Sequence, residues 1–182
     1  GRPDGICLPK VYSAKEVNTL CNYLSAFEAR ERIEQGSTKI LCVATETAAS
    51  VLTFHTYLDG VSDRLVGMTW GAEDLAAALG ASDNRGPDGD YDDVYKQVKG
   101  LCLAACRAVD VQPVGVLITN FRDDKALEED CLRDRKAGFV GKIAIHPAQP
   151  PIINKAFTPS EEEIAHAKRV IAVFAENPGM GT

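Results

Sequence analysis

The chain has 182 residues, 45% of them hydrophobic and 25% charged, enough apolar material for one soluble globular domain. Its formal net charge of −6 is the wrong sign for a protein that grips nucleic acid through its phosphates. No charge-free apolar run reaches the ~20 residues of a membrane-spanning helix, and no basic stretch leading into an apolar one marks a signal peptide. The expectation is a cytoplasmic protein whose partners are small molecules rather than nucleic acid or membrane.

Strand-like and helix-like segments alternate along the chain. GICLPKV (5–11) reads as a buried strand, and residues 13–36 read as a long helix. Ser13 stands at the N-cap with Glu16 at capping-box distance, and Gly36 is the expected stop. TKILCVAT (38–45) is the next strand, followed by a helix over 46–58. DRLVGMTW (63–70) is a strand and GAEDLAAALG (71–80) a short helix. Residues 81–93, rich in Gly, Asp and Pro, read as a loop. Helix is expected over 94–110, strand over 112–119, helix over 124–138 and strand over 139–147. A closing helix is predicted over 160–177, with Ser160 and Glu163 again at capping-box spacing.

This alternation implies parallel strands joined by right-handed crossovers. The strands are apolar without strict alternation, as in sheets covered on both faces. About five strand–helix units are present, whereas a complete eight-unit barrel takes roughly 250 residues. A doubly wound open sheet and a barrel lacking about three units both remain open. The six cysteines, Cys7, Cys21, Cys42, Cys102, Cys106 and Cys131, include no C-x-x-C pair and read as reduced core residues.

In either architecture the functional residues gather at the carboxyl ends of the strands. Those ends carry Pro9-Lys10, Thr45-Glu46-Thr47, the run Trp70 to Asp74, Thr119-Asn120 and His146-Pro147. No G-x-G-x-x-G, P-loop or nucleophile elbow is present. Glu46 and Asp74 follow successive strands, so their carboxylates can approach each other, and two ionised carboxylates repel unless a cation or proton lies between them. Mg²⁺ takes oxygen ligands and often uses only one or two protein carboxylates. One reading is therefore a Mg²⁺ site chelating a 2-oxo acid. The other is that both carboxylates favour the first turn of a following helix.

Gly71, Ala72 and Glu73 open a helix, and their backbone N–H groups can grip a carboxylate. The Glu73 side chain reads as solvent-facing or as a helix-dipole residue. Lys10 suits either an anionic substrate or simple solvation. His146 fits a tight turn, His55 and His166 fit the surface or helix packing, and Trp70 packs beneath the loop layer.

DGICLPK, VATETAASV, MTWGAEDLAAALGA and GFVGKIAIHPAQPPIINKAFTPS occur in that order. Together they resemble the citrate lyase β-subunit-like group of the HpcH/HpaI aldolase superfamily, which includes malyl-CoA lyases. The resemblance covers nearly the whole chain. It implies a TIM barrel that cleaves or forms a C–C bond in the CoA thioester of a 2-hydroxy acid, with Mg²⁺ as cofactor, giving an acyl-CoA and a 2-oxo acid. Glu46 and Asp74 match the family's metal ligands. Gly71, Ala72 and Glu73 fall where backbone amides help hold the substrate carboxylate.

DGICLPK resembles the fourth barrel strand. The resemblance thus implies one incomplete barrel domain over 1–182, comprising strands 4–8, without the N-terminal units or a C-terminal lid. The family's substrate-binding arginine lies on an earlier strand, and neither Arg2 nor Arg64 matches its context. The chain ends at AENPGMGT, where family members continue into a segment that often closes over a neighbouring subunit. An aspartate is common where this chain has Gly115. A homo-oligomer, trimer or hexamer, is implied. Exposed strand edges lead to the expectation that the chain is a fragment or is covered by another chain, and has little activity alone. A non-catalytic module with an open sheet and a carrier-dependent citrate lyase subunit are the alternatives.

Overall fold

The computed structural model describes residues 2–176. Gly1 and residues 177–182 lie outside the described residues, and with them the last residue of the predicted closing helix and most of AENPGMGT. Five strands form one parallel sheet: β1 (Gly5–Leu8), β2 (Lys39–Val43), β3 (Leu65–Thr69), β4 (Gln112–Gly115) and β5 (Gly141–Lys142). Seven α-helices are described: α1 (Ala14–Glu31), α2 (Ala48–Leu52), α3 (Ala72–Leu79), α4 (Asp93–Ala108), α5 (Asp124–Ala137), α6 (Gln149–Phe157) and α7 (Glu161–Glu176). The strand order is β1-β2-β3-β4-β5, each strand beside its predecessor. That order lacks the reversal at which open dinucleotide-binding sheets place their ligands. Among the described residues no helix is long and apolar enough to cross a membrane.

Both predicted capping boxes form. Ser13 N–H donates to Glu16 Oε2 at 2.7 Å, and Ser160 N–H to Glu163 Oε2 at 2.7 Å. α1 ends five residues before the predicted stop at Gly36, because Arg32 adopts the left-handed conformation (φ 55°) and caps the helix. The helix expected over 46–58 is broken. Thr47 caps α2 by accepting the Ser50 N–H at 3.2 Å, and Thr53 leaves the helix to donate its hydroxyl to the Tyr12 carbonyl. A 3₁₀ turn over Phe54–Tyr57 follows.

β4 and β5 are much shorter than the predicted 112–119 and 139–147. Their apolar tails leave the ladder and line a cavity instead. α6 was not predicted; its first-turn prolines, Pro150 and Pro151, are its sequence signal, since a missing N–H costs nothing there.

The core lies between sheet and helices. Ile40, Cys42, Met68, Val17 and Leu75 are fully buried, and Cys102 and Cys106 share the buried face of α4 as expected. A smaller cluster of Leu127, Cys131, Ile153 and Ala156 joins α5 to α6. All six cysteines are free, but Cys7 is exposed, a correction to its expected place in the core. β1 is an outer strand of the sheet, so half of its residues have nothing packed on them. Trp70 lies under the 81–93 loop as predicted, with Tyr91 edge-on at 5.0 Å.

At the amino end of the sheet, Arg64 and Glu28 form a buried two-pronged pair, with N–O distances of 2.8 and 2.5 Å. Glu28 also accepts the Gly36 and Thr38 N–H groups, so a single carboxylate ties the end of α1 to the starts of β2 and β3. The Arg64 guanidinium holds the Glu28 carboxyl well below its ordinary value of 4.5. A lowered carboxyl contributes stability above its ordinary value and loses it as pH falls toward the folded value. Arg64→Leu, which strands the buried carboxylate, is therefore expected to lower Tm near neutral pH by on the order of 10 °C. The deficit should shrink as thermal melts are taken below pH ~4.5. An unchanged neutral-pH melt would show that the pair does not brace the sheet.

Candidate active site

Three consecutive parallel strands deliver Lys10, Glu46 and Asp74 to one point at the carboxyl edge of the sheet. β1 ends at Leu8, and Lys10 follows in the left-handed region at φ 53°. Its backbone N–H donates to the Glu46 carboxylate, and its Nζ lies 2.6 Å from Asp74 Oδ1. Beyond β2, Ala44 N–H still donates to Thr69 O at 2.9 Å, which carries the sheet register up to Glu46. Glu46 precedes Thr47, the N-cap of α2, and is not in a helix. Of the two readings open in the sequence, first-turn preference thus does not account for Glu46. Asp74 and Glu73 do occupy the first turn of α3.

The two carboxylates lie close enough that each perturbs the other's titration. Burial, offset in part by the Lys10 N–H and reinforced by Asp74, raises the Glu46 carboxyl above its ordinary value. The Lys10 ammonium, followed by Glu46, lowers that of Asp74. A raised carboxyl contributes stability below its ordinary value and loses it as pH climbs through the folded value. At neutral pH the Glu46 charge is therefore a cost, which a nearby cation relieves.

Gly71 makes this close packing possible. A Cβ there would sit 2.8 Å from Glu46 Cγ and 3.3 Å from Val43 Cγ1. Its N–H is occupied by the buried Thr45 hydroxyl at 2.9 Å. In this structure the amide that the expectation offers to a substrate carboxylate is thus engaged within the protein. The Ala72 and Glu73 amides remain at the open end of α3, which no side chain caps. Thr45 stands among the strand-end residues with no role legible from spacing; only the packing of β2 against the β3–α3 turn reveals it.

A cavity of about 130 Å³ adjoins the pair. Residues from or just beyond all five strands line it, including Cys7, Glu46, Trp70, Val116, Leu117 and Ile143. The buried Trp70 indole N–H has no hydrogen-bond partner. A larger groove of about 620 Å³ opens between Arg2, Phe27 and Arg32, but its buried charge, Glu28, is already paired with Arg64. Arg64, whose context did not match the family's substrate-binding arginine, is taken up by Glu28. His146 sits in its turn with Nδ1 accepting the Ala148 N–H at 3.2 Å and its ring stacked on Phe121 at 4.8 Å. His55 and His166 are exposed.

Among the described residues no cluster of three or more His, Cys, Asp or Glu is arranged to hold a metal. Two adjoining carboxylates, one raised by burial and the other already drawing in an ammonium, are hard oxygen donors. They fit an ion such as Mg²⁺, which keeps its other positions for water and substrate, and not a closed zinc site.

The model of the HpcH/HpaI aldolase/citrate lyase family matches residues 1–147. A citrate lyase subunit β-like protein of Mycobacterium tuberculosis is 38% identical over 118 residues, covering 65% of this chain and 43% of that protein. An L-malyl-CoA/β-methylmalyl-CoA lyase of Rhodobacter capsulatus is 31% identical over 193 residues, covering 99% and 59% respectively. Among solved structures, the protein CitE from Mycobacterium tuberculosis in complex with magnesium, acetoacetate and coenzyme A superposes with a TM-score of 0.72 at 31% identity. That match covers 98% of this chain and 60% of the other. The chain spans about half the length of the curated relatives it matches.

In the metal-free protein, carboxyl-resolved NMR is expected to show Glu46 titrating above 4.5 and Asp74 below 3.8. Gly71→Ala, by pushing Glu46 aside, should separate the pair and return both titrations toward those values. Ordinary, independent titrations in the wild-type chain would refute the shared site.

Proposed function

The chain belongs to the HpcH/HpaI aldolase/citrate lyase family, and from that premise we propose that it carries the metal and 2-oxo acid site of a Mg²⁺-dependent C–C lyase acting on a CoA thioester of a 2-hydroxy acid. The observation that supports this reading best is that Glu46 and Asp74 are gathered at the carboxyl edge of a parallel sheet, both bound by Lys10. Relatives named as malyl-CoA lyases, and the CitE complex with magnesium, acetoacetate and coenzyme A, point to the same chemistry.

Glu46 and Asp74 are the residues that would hold Mg²⁺, which when bound supplies Lewis-acid charge to the substrate oxygens that become more negative as the C–C bond breaks or forms. The Ala72 and Glu73 N–H groups, at the positive end of α3, are placed to hold the carboxylate of the 2-oxo acid. Gly71 leaves room for Glu46 beside them. Trp70, Val116, Leu117 and Ile143 keep water away from the reacting carbons and so strengthen each charge interaction around them.

The same reading takes the domain as 1–182 and the sheet as strands 4–8 of a TIM barrel. The sequential strand order suits that assignment, since a barrel places every strand beside its predecessor. Other polypeptide then covers the free edges of β1 and β5, within one longer chain or in a homo-oligomer (a trimer or hexamer). The acidic composition suits the cytoplasm and a small-molecule partner, with no nucleic acid or membrane bound.

The test is cleavage of malyl-CoA and citramalyl-CoA by protein containing the complete barrel, followed as release of acyl-CoA and 2-oxo acid. Release is expected to require Mg²⁺ and to fall by about 100-fold or more in Glu46→Gln and Asp74→Asn, with circular dichroism unchanged. Wild-type rates in both variants would overturn the assignment of the site. Dependence on an acyl-carrier subunit would mark a carrier-dependent lyase instead.

A further inference from the structure

Lys10 meets the carboxylate pair in two different ways. Its backbone N–H is a fixed donor to Glu46, while its side chain is a mobile charge on Asp74. The backbone conformation, φ 53° at a non-glycine residue, is one that surrounding structure must hold in place, and the bond to Glu46 supplies that restraint. The side chain is unrestrained by comparison. It is 59% exposed, and its Nζ lies 2.6 Å from Asp74 Oδ1. Among the described residues no other ammonium or guanidinium is paired with either carboxylate. The ammonium therefore occupies the one place where positive charge is needed, on a tether that can swing into solvent.

Building on the metal reading above, we propose that Lys10 is the resident cation of the metal-free site, and that a divalent ion enters by displacing its ammonium from Asp74. The backbone bond to Glu46 stays in place through that exchange, so one carboxylate remains aimed while the other changes partner. Lys10 is thus a positioning residue that also sets the threshold for metal binding. The ion must outcompete an intramolecular charge, which keeps the pair together when the ion is absent and weakens binding when it is present.

A residue that merely supports the fold would weaken metal binding when removed; a competitor strengthens it. The experiment is a Mn²⁺ titration of the full 182-residue chain, read from the paramagnetic resonance of the free ion, so that it does not depend on turnover. Lys10→Met is expected to bind Mn²⁺ about tenfold more tightly than wild type at low ionic strength. The difference should narrow in high salt, because the side chain is exposed. Lys10→Arg, which keeps the charge, should stay near wild type. Equal or weaker binding in Lys10→Met would overturn the inference alone. Mn²⁺ binding that survives unchanged in Glu46→Gln and Asp74→Asn, or no binding in either wild type or Lys10→Met, would overturn the metal reading itself. Circular dichroism confirms that each variant is folded; the exposed ammonium makes Lys10→Met a mild change.

Discussion

The repulsion between two carboxylates on neighbouring strands is the constraint around which this molecule is arranged. Parallel pairing brings the ends of β2 and β3 side by side, and with them Glu46 and Asp74. Left alone, two such charges would drive those strand ends apart. The surroundings oppose that at each step. Lys10 donates to both members, Gly71 leaves room for Glu46, and Thr45 ties the β3–α3 turn down to β2. In this structure the charge that makes the arrangement tolerable is the Lys10 ammonium on Asp74.

Charge is handled differently where it has no chemistry to do. Beneath α5, the fully buried Lys142 Nζ lies 2.5 Å from Asp130 and 2.7 Å from Asp134, and Lys99 reaches Asp134 at 2.5 Å. Burial works against the Lys142 charge, but Asp134 and Asp130 outweigh it and raise its pKa. Arg133 also pairs with Asp130 at 3.1 Å, so three cations close on two anions. Gly115 belongs to this group: a Cβ there would fall 2.2 Å from Asp134 Oδ2. Where the family resemblance implies an aspartate on the strand, this chain has a glycine, and a helix carboxylate fills the space. The Arg64–Glu28 pair is closed in the same sense. The Lys10 cluster, by contrast, combines charge with access to solvent and a neighbouring cavity.

That contrast also bears on which part of the family's machinery this chain contains. The residues proposed for the metal and 2-oxo acid, from Glu46 to the open end of α3, all fall within the family match. The family match stops at residue 147, so α6 and α7 lie beyond it. Every residue of α7 is exposed, including Ile164 and Ile171. Its contact with the rest of the chain includes the Arg135–Glu163 ion pair at 2.7 Å.

The sequence by itself determined the order and type of most elements, because strand and helix periodicity, capping boxes and loop composition are local properties. Ser13 with Glu16 and Ser160 with Glu163 act within one helical turn, so they were legible from spacing alone. So was the position of Glu46 and Asp74 at successive strand ends. Element lengths were not. Whether apolar residues such as Val116 or Ile143 continue a strand or turn into a cavity depends on what lies opposite them, and the chain alone does not record this. Gly36 resembled a helix stop, but the earlier stop at Arg32 accompanies a distant contact, the Glu28 carboxylate reaching forward to Gly36 and Thr38. Likewise only the tertiary structure decided that Thr45 takes the Gly71 amide and that Lys10 spans both carboxylates. Those contacts join residues 26 to 64 positions apart, and no local pattern encodes a partner at that distance; it is set by the register of three parallel strands.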